Sequence, residues 1–310
     1  MSDLEQEVHH VPVMLEASIE VLRASEGGKF LDCTFGGGGH SRGLLEASPD
    51  ACVVALDRDG RAIERGCRWG AGYGERLELI HAPFSRAEAA VSFRGFNGIL
   101  ADLGMSTDQL REGRGFSFAD AATLDMRMDE GSGMTAADFI NHASEQEIYV
   151  ALAEGGVGAH ARGIARTIFN ERPFESAQQL AEVVRMSQLG KRSVSKTHPA
   201  TVVFQALRMK VNREREEIDA LLDAAPSLVR SGGRLAVITF HSVEDKLVTN
   251  RMRSWESAGS YPASWRGPRT EKRIGHVVNR KPIVPSEDEI ARNPASRSAR
   301  LRVFEFEKDF

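Results

Sequence analysis

The chain is poor in cysteine, and the three it has, Cys33, Cys52 and Cys67, form no C-x-x-C pair. An odd, unpaired set gives no case for a disulfide framework or a zinc site and fits reduced thiols in a cytosolic setting. No apolar run approaches the ~20 residues that a membrane-spanning helix needs. The opening MSDLEQEVHH is acidic and polar, unlike a secretory signal. A cytoplasmic protein with no membrane attachment and no metal is expected. The dinucleotide fingerprint G-x-G-x-x-G is missing too: started from Gly36 its third glycine falls on Ser41, and started from Gly37 it falls on Arg42. This disfavours a nicotinamide- or flavin-dependent oxidoreductase.

What is present is an ordinary globular composition, 41% hydrophobic and 27% charged over 310 residues, enough for two domains or one large one. The net charge of −4 conceals two basic segments. Residues 185–215 carry Arg185, Lys191, Arg192, Lys196, Arg208, Lys210, Arg213 and Arg215 against the single acid Glu214. Residues 266–302 carry ten Lys/Arg against four acids. Positive segments in an otherwise acidic chain point to a phosphate-rich ligand met by one face; the alternative is solvated surface.

Short apolar runs predict strands over 29–33, 51–57, 77–81, 97–102 and 234–240, with two more near 276–278 and 301–306. Strands alternating with helices predict an α/β fold with a parallel sheet covered on both faces. The interval between the fourth and fifth strands is far longer than one crossover requires. It contains capping-box spacings at Thr135/Asp138, Ser144/Glu147 and Ser176/Gln179. A helical domain over 109–200, inserted into a sheet domain formed by 1–108 and 201–310, is expected. One long helix from about Pro199 to Val229 is expected to follow, with Phe204, Leu207, Val211, Ile218, Leu221 and Leu222 as its apolar stripe.

The segment DCTFGGGGHS, residues 32–41, lies between the first strand and a helix. Its glycines permit close backbone approach to a ligand, and the helix start behind them offers free N–H groups. Asp57, at the end of the second strand, is placed to accept from a ribose hydroxyl pair. Asp32, Thr34, Gly36 and Gly38 fit the turn used for S-adenosylmethionine better than the dinucleotide turn; a merely structural turn is the alternative. Ligands of doubly wound sheets bind at the carboxyl ends of the strands. That selects Phe84 as a stacking surface for adenine, Asp102 as a holder of the donor or of an incoming amine, and His241 with Ser242 after the fifth strand. The competing readings are core packing for Phe84, an N-cap for Asp102 and a structural histidine for His241.

The chain resembles the bacterial 16S rRNA cytosine-N4 methyltransferases nearly end to end. The resemblance is carried by HVPVMLE (10–16), DCTFGGGGHS (32–41), LDRD (56–59), HAPFS (81–85), DLGMSTDQL (102–110), RGFSF (114–118), LDMRMD (124–129), HPAT (198–201), FQALR (204–208), FHSVEDK (240–246), KPIVPS (281–286) and NPASRSARLR (293–302). It implies a Rossmann-like, S-adenosylmethionine-dependent methyltransferase domain with an inserted helical domain. It also implies methylation, in the assembled small ribosomal subunit, of a cytosine N4 in the decoding region. Cofactor contacts carried over by motif are Gly38, Gly39, His40, Asp57, Phe84, Asp102 and Gln109. Asp102 and His241 are the candidate catalytic residues, and Arg208, Asn212, His241 and Ser242 the candidate substrate contacts. GGVGAHA (155–161) and Val202 depart from the family pattern, the latter standing where an arginine is usual. A non-catalytic RNA-binding assembly factor that keeps the fold is the alternative function.

Overall fold

In the computed structural model the described residues are 12–104, 113–117, 123–131, 133–187, 199–257 and 272–307. The chain divides into a sheet unit, Met1–Gly104 with Glu217–Phe310, and a helical unit, Met105–Glu216.

The sheet unit is built on seven strands: β1 (Gly28–Asp32), β2 (Ala51–Asp57), β3 (Leu77–His81), β4 (Phe96–Asp102), β5 (Val229–Thr239), β6 (Gly275–Val277) and β7 (Arg300–Phe306). Their order is β3-β2-β1-β4-β5-β7-β6. β1 to β5 pair in parallel, while β7 runs antiparallel to both β5 and β6. The two-residue period of a strand sends alternate side chains to opposite faces. Phe30, Val53, Leu100 and Ile238 face one core with Leu44 and Leu45 of α2 (Gly39–Ala47). Leu31, Val54, Ile99 and Val237 face the other, with Val248 and Met252 of α11 (Ser242–Glu256). Burial on both faces explains why the parallel strands read as continuous apolar runs.

The helices α1 (Leu15–Val21), α3 (Gly60–Gly70), α4 (Ala87–Ala90) and α12 (Glu287–Arg292) also belong to this unit. The helical unit has its own core, in which Ile140, Ile148, Leu152, Ile164, Ile168, Leu180, Val184 and Leu207 are buried together. Its helices are α5 (Ala136–His142), α6 (Glu145–Glu154), α7 (Ala161–Glu171), α8 (Ala177–Ser187) and α9 (Pro199–Asn212). The expected caps form. Thr135 with Asp138 and Ser144 with Glu147 close reciprocal capping boxes. Ser176 and Gln179 exchange the same pair of bonds, at 3.2 and 3.3 Å.

The single long helix expected over 199–229 is two. α9 ends at Asn212, Arg213 takes φ 52°, and α10 (Glu214–Leu228) begins. Phe204 and Leu207 belong to the core of the helical unit, Ile218, Leu221 and Leu222 to that of the sheet unit. Val211 and Ile218 are seven residues apart, two turns of an unbroken helix, so the sequence periodicity gives no sign of the break. One periodic signal therefore spans helices that serve different cores.

Candidate active site

In the order β3-β2-β1-β4 the chain reverses direction of growth between β1 and β4. Loops diverge at such a point and leave a crevice at the strands' carboxyl ends. Asp32, Asp57 and Asp102 are the last residues of β1, β2 and β4.

The glycine turn fills the start of that crevice. Gly36 (φ 54°) and Gly38 (φ 77°) are in the left-handed region that a Cβ disfavours. The two differ in surroundings. A Cβ on Gly36 would meet nothing nearer than the Thr34 carbonyl at 4.0 Å, so the turn presents open backbone there. A Cβ on Gly38 would run into Trp69 and come within 2.8 Å of Phe35, and one on Gly39 within 2.8 Å of Pro12. The turn is packed from behind and open in front, the shape needed for a ligand to approach the backbone.

Three polar anchors fix the turn. The Asp57 carboxylate accepts from Gly36 N at 2.7 Å and from Asp59 N at 2.8 Å, one bond on each oxygen. Burial raises its pKa above 3.8, and those two N–H groups offset part of the rise. Each oxygen keeps a further acceptor position. Asp32 is fully buried and accepts from Thr34 N at 3.0 Å and Ser41 Oγ at 2.7 Å. Burial raises its pKa as well, against the opposing charge of His40 and these hydrogen bonds. Thr34 Oγ1 then accepts from Asp102 N at 2.7 Å, tying the end of β4 to the turn. Asp102 Oδ1 accepts from Gly104 N at 3.0 Å, and Oδ2 faces His40 Nδ1 at 3.9 Å.

Around this centre, Phe84 opens a short 3-10 turn after β3 and is partly buried against the sheet core. Core packing therefore holds for Phe84 in part, the residue being only partly buried. His241 is the N-cap of α11: it and Glu244 form a reciprocal capping box, and its Nε2 lies 3.0 Å from the buried Glu244 carboxylate. This is the structural alternative for His241, and Ser242 is simply the first residue of that helix. Gln109 falls outside the described residues. Trp69, stacked on Phe35 at 5.8 Å with the Arg42 guanidinium 4.6 Å over its ring, was not a sequence candidate. Only its distance of thirty-one residues from Gly38 hid it, since nothing local links the two. Ser41, also not singled out, sits inside the glycine motif itself.

In the helical unit, two candidate substrate contacts have internal work. Asn212 is 3% exposed; it donates to Met126 O at 2.7 Å and Arg208 O at 2.9 Å and accepts from Met128 N at 2.7 Å. These bonds hold the LDMRMD loop, where Met126 takes φ 60°. Asn212→Ala is expected to lower the stability of the helical unit by about 3 kcal/mol, because Met126 O and Met128 N are left buried without that partner. Calorimetric unfolding checks this; a substrate contact would instead show an unchanged melting profile. Arg208 forms a two-pronged pair with Glu214 at 2.7 and 2.8 Å.

The basic segments are also partly neutralised from within. Arg185 pairs with Glu182, Arg273 with Glu307, and Arg280 with Glu256. Arg300 and Arg302 both pair with Asp245. Lys191, Arg192, Lys196, Arg266 and Arg269 lie outside the described residues. Lys210, Arg213 and Arg215 are exposed. The net sequence charge of these segments thus overstates what is displayed.

The model of the MraW methylase family matches residues 7–307. Among curated proteins, the ribosomal RNA small subunit methyltransferase H of Cyanothece sp. is 44% identical, the match covering 97% of this chain and 96% of that protein. The protein of the same name from Syntrophotalea carbinolica is 44% identical, over 94% and 96% of the two chains. That from Syntrophobacter fumaroxidans is 39% identical, over 96% of each.

Proposed function

Because the chain belongs to the MraW methylase family and is a methyltransferase that uses S-adenosylmethionine, we propose that it methylates small-subunit ribosomal RNA, at N4 of a cytidine in the decoding region of 16S rRNA. The observation that carries this reading is the turn open at Gly36 and flanked by the Asp57 and Asp102 carboxylates at the point where strand order reverses.

The residues fit the cofactor. Asp57 has acceptor capacity left for a ribose hydroxyl pair, and the Gly39–His40 backbone at the start of α2 offers N–H groups to polar atoms, the Gly38 N–H being held by Phe35 O at 2.7 Å. The accessible part of Phe84 is a stacking surface for adenine, a contact worth ~1–3 kcal/mol. Gln109 joins them by motif. S-adenosylmethionine supplies an electrophilic methyl group. An exocyclic amine is a weak nucleophile whose proton leaves readily once the nitrogen is alkylated, so positioning is the main task left to the protein. Asp102 is placed to accept a hydrogen bond from that amine and hold its lone pair in line. A paired cytosine cannot present N4 this way, so the base must be unstacked first. Within the helical unit, the exposed Lys210, Arg213 and Arg215 offer charge to RNA phosphates.

Methyl-labelled S-adenosylmethionine with undermethylated small subunits, followed by nuclease digestion and nucleoside mass spectrometry, tests the reading. Labelled N4-methylcytidine is the expected product. Cofactor binding without any label would favour a different RNA target or a non-catalytic assembly factor. RNA affinity is expected to fall steeply with salt, and a flat plot of log K against log salt would remove the phosphate contacts.

A further inference from the structure

His40 is 5% exposed, and both ring nitrogens have a defined neighbour. Nε2 lies 2.9 Å from the Val13 carbonyl oxygen. A carbonyl only accepts, so Nε2 carries the hydrogen. Nδ1 of the neutral ring is then the basic nitrogen, and it faces Asp102 Oδ2 at 3.9 Å. The Val13–Met14 peptide is itself held from the other side: Met14 N donates to Glu289 Oε1 at 2.6 Å. A carboxylate on the N–H of a peptide group makes the carbonyl of that group a stronger acceptor, by hydrogen-bond polarisation. Glu289, on α12, is held in place by Ser286, whose hydroxyl accepts from Glu289 N at 3.1 Å. The result is a chain from Glu289 through one peptide group and the imidazole to Asp102. Asp32 at the end of β1 is the other carboxyl group on which a charge at His40 acts.

We propose that Glu289, the Val13–Met14 peptide and His40 form a positioning chain that makes Nδ1 of His40 the second station for the proton released by the target amine. The proposal rests on the function given above. The N–H bond of the alkylated amine breaks with its electron pair remaining on nitrogen, and the proton passes to the Asp102 carboxylate. It then moves to the His40 Nδ1 lone pair, leaving Asp102 ionised and the imidazole cationic. The cation is stabilised on both sides, by Asp102 at Nδ1 and by the polarised Val13 carbonyl at Nε2–H. At 3.9 Å, Nδ1 and Asp102 Oδ2 are beyond hydrogen-bond reach, and the transfer takes place when the two close on each other in the reactive complex, where catalytic contacts tighten. His40 acts through Asp102 and is not itself expected to touch the substrate.

The full-length protein is tested with three variants. His40→Gln keeps a donor for the Val13 carbonyl but has no basic nitrogen. Glu289→Gln keeps an acceptor for Met14 N but removes the distant charge. Asp102→Asn removes the facing charge. Imidazole nitrogen NMR, assigned by loss of one signal in His40→Gln, reads the tautomer and titration without any turnover. His40 is expected as the Nε2–H tautomer. Its titration is expected to move down by about one pH unit in Asp102→Asn, and by a smaller amount in the same direction in Glu289→Gln. In the methyl-transfer assay, kcat of the wild type is expected to rise with pH through the His40 titration. His40→Gln should lose that limb and about 100-fold in kcat. Glu289→Gln should keep the limb, displaced to lower pH.

An Nδ1–H tautomer, or a titration indifferent to both carboxylates, overturns the chain whatever the activity. A wild-type pH limb retained in His40→Gln overturns the relay. Absence of methyl transfer by the wild type itself is a failure of the proposed function, and the NMR arm then still decides the positioning chain.

Discussion

Asp57→Ala is expected to weaken S-adenosylmethionine binding by at least about 100-fold, the size of losing two charge-assisted hydrogen bonds to ligand and the order of the turn together. The carboxylate is the acceptor for both Gly36 N and Asp59 N. Alanine therefore removes the proposed ribose acceptor and the anchor that shapes the turn at once. Asp57→Asn separates the two effects in part: the amide offers a single oxygen, so one of the two backbone N–H groups loses its partner while size is preserved. Titration calorimetry on the two variants, with circular dichroism as a check of folding, reads the result. Unchanged affinity in Asp57→Ala would sink the ribose assignment.

The same residue sets a pH dependence. Burial holds the Asp57 pKa above 3.8, so the group takes its proton earlier on acidification than an exposed aspartate does. Cofactor affinity is expected to fall as pH drops through that raised value, and Asp57→Asn should lack this limb. The sign for folding is the reverse: a carboxyl whose pKa is raised in the folded state binds its proton more readily there, so Asp57 does not drive acid unfolding. Asp245 does contribute to it. Burial would raise its pKa, but the hydrogen bond and charge of Arg302, with Arg300, outweigh burial and lower it. Its stabilisation is present above 3.8 and is lost as pH falls through the lowered value.

Gly38→Ala is expected to abolish cofactor binding and lower stability by about 1–3 kcal/mol, the usual strain of a non-glycine residue in a left-handed conformation held by its surroundings. Here the new methyl group also meets two rings, Trp69 and Phe35, stacked against each other. Neither is the flexible end of a long side chain, so the turn must shift instead. The paired variant Gly38→Ala/Trp69→Ala relieves one of the clashes, and it should recover stability but not affinity, because φ 77° remains. Thermal unfolding and calorimetry on both proteins check this. Full affinity in Gly38→Ala would mean that the turn does not hold the ligand through its backbone.

Several features were legible because their causes are local. The glycine turn, the acids ending β1, β2 and β4, and the three capping pairs each lie within a few residues of sequence, and each formed as read. His241 shows the limit. Its position just after β5 was visible, but so was Glu244 three residues on, and the capping box it makes with a buried glutamate is the bland reading of the same spacing. Arg208 and Asn212 stood among the candidate substrate contacts. Asn212 is instead bonded to residues 84 and 86 positions away.

By itself, then, the sequence determined the succession of most strands and helices, the place of the glycine turn between β1 and α2, and the family to which the chain belongs, because short-range periodicity, caps and contiguous motifs encode all three. Tertiary structure alone decided which polar groups are available. The apolar stripe of 204–222 runs on in one phase, and only folding divides it between two cores at Arg213. Arg302 is positive in any reading of the sequence, and only the approach of β7 to α11 gives it Asp245, 57 residues away. Likewise, His40 gains the Val13 carbonyl as partner only when residues from opposite ends of the chain, Val13, Met14 and Glu289, meet beside it. The reason is common to all three cases: a charge or donor acts on what it faces, and what it faces is set by which distant surfaces are buried together.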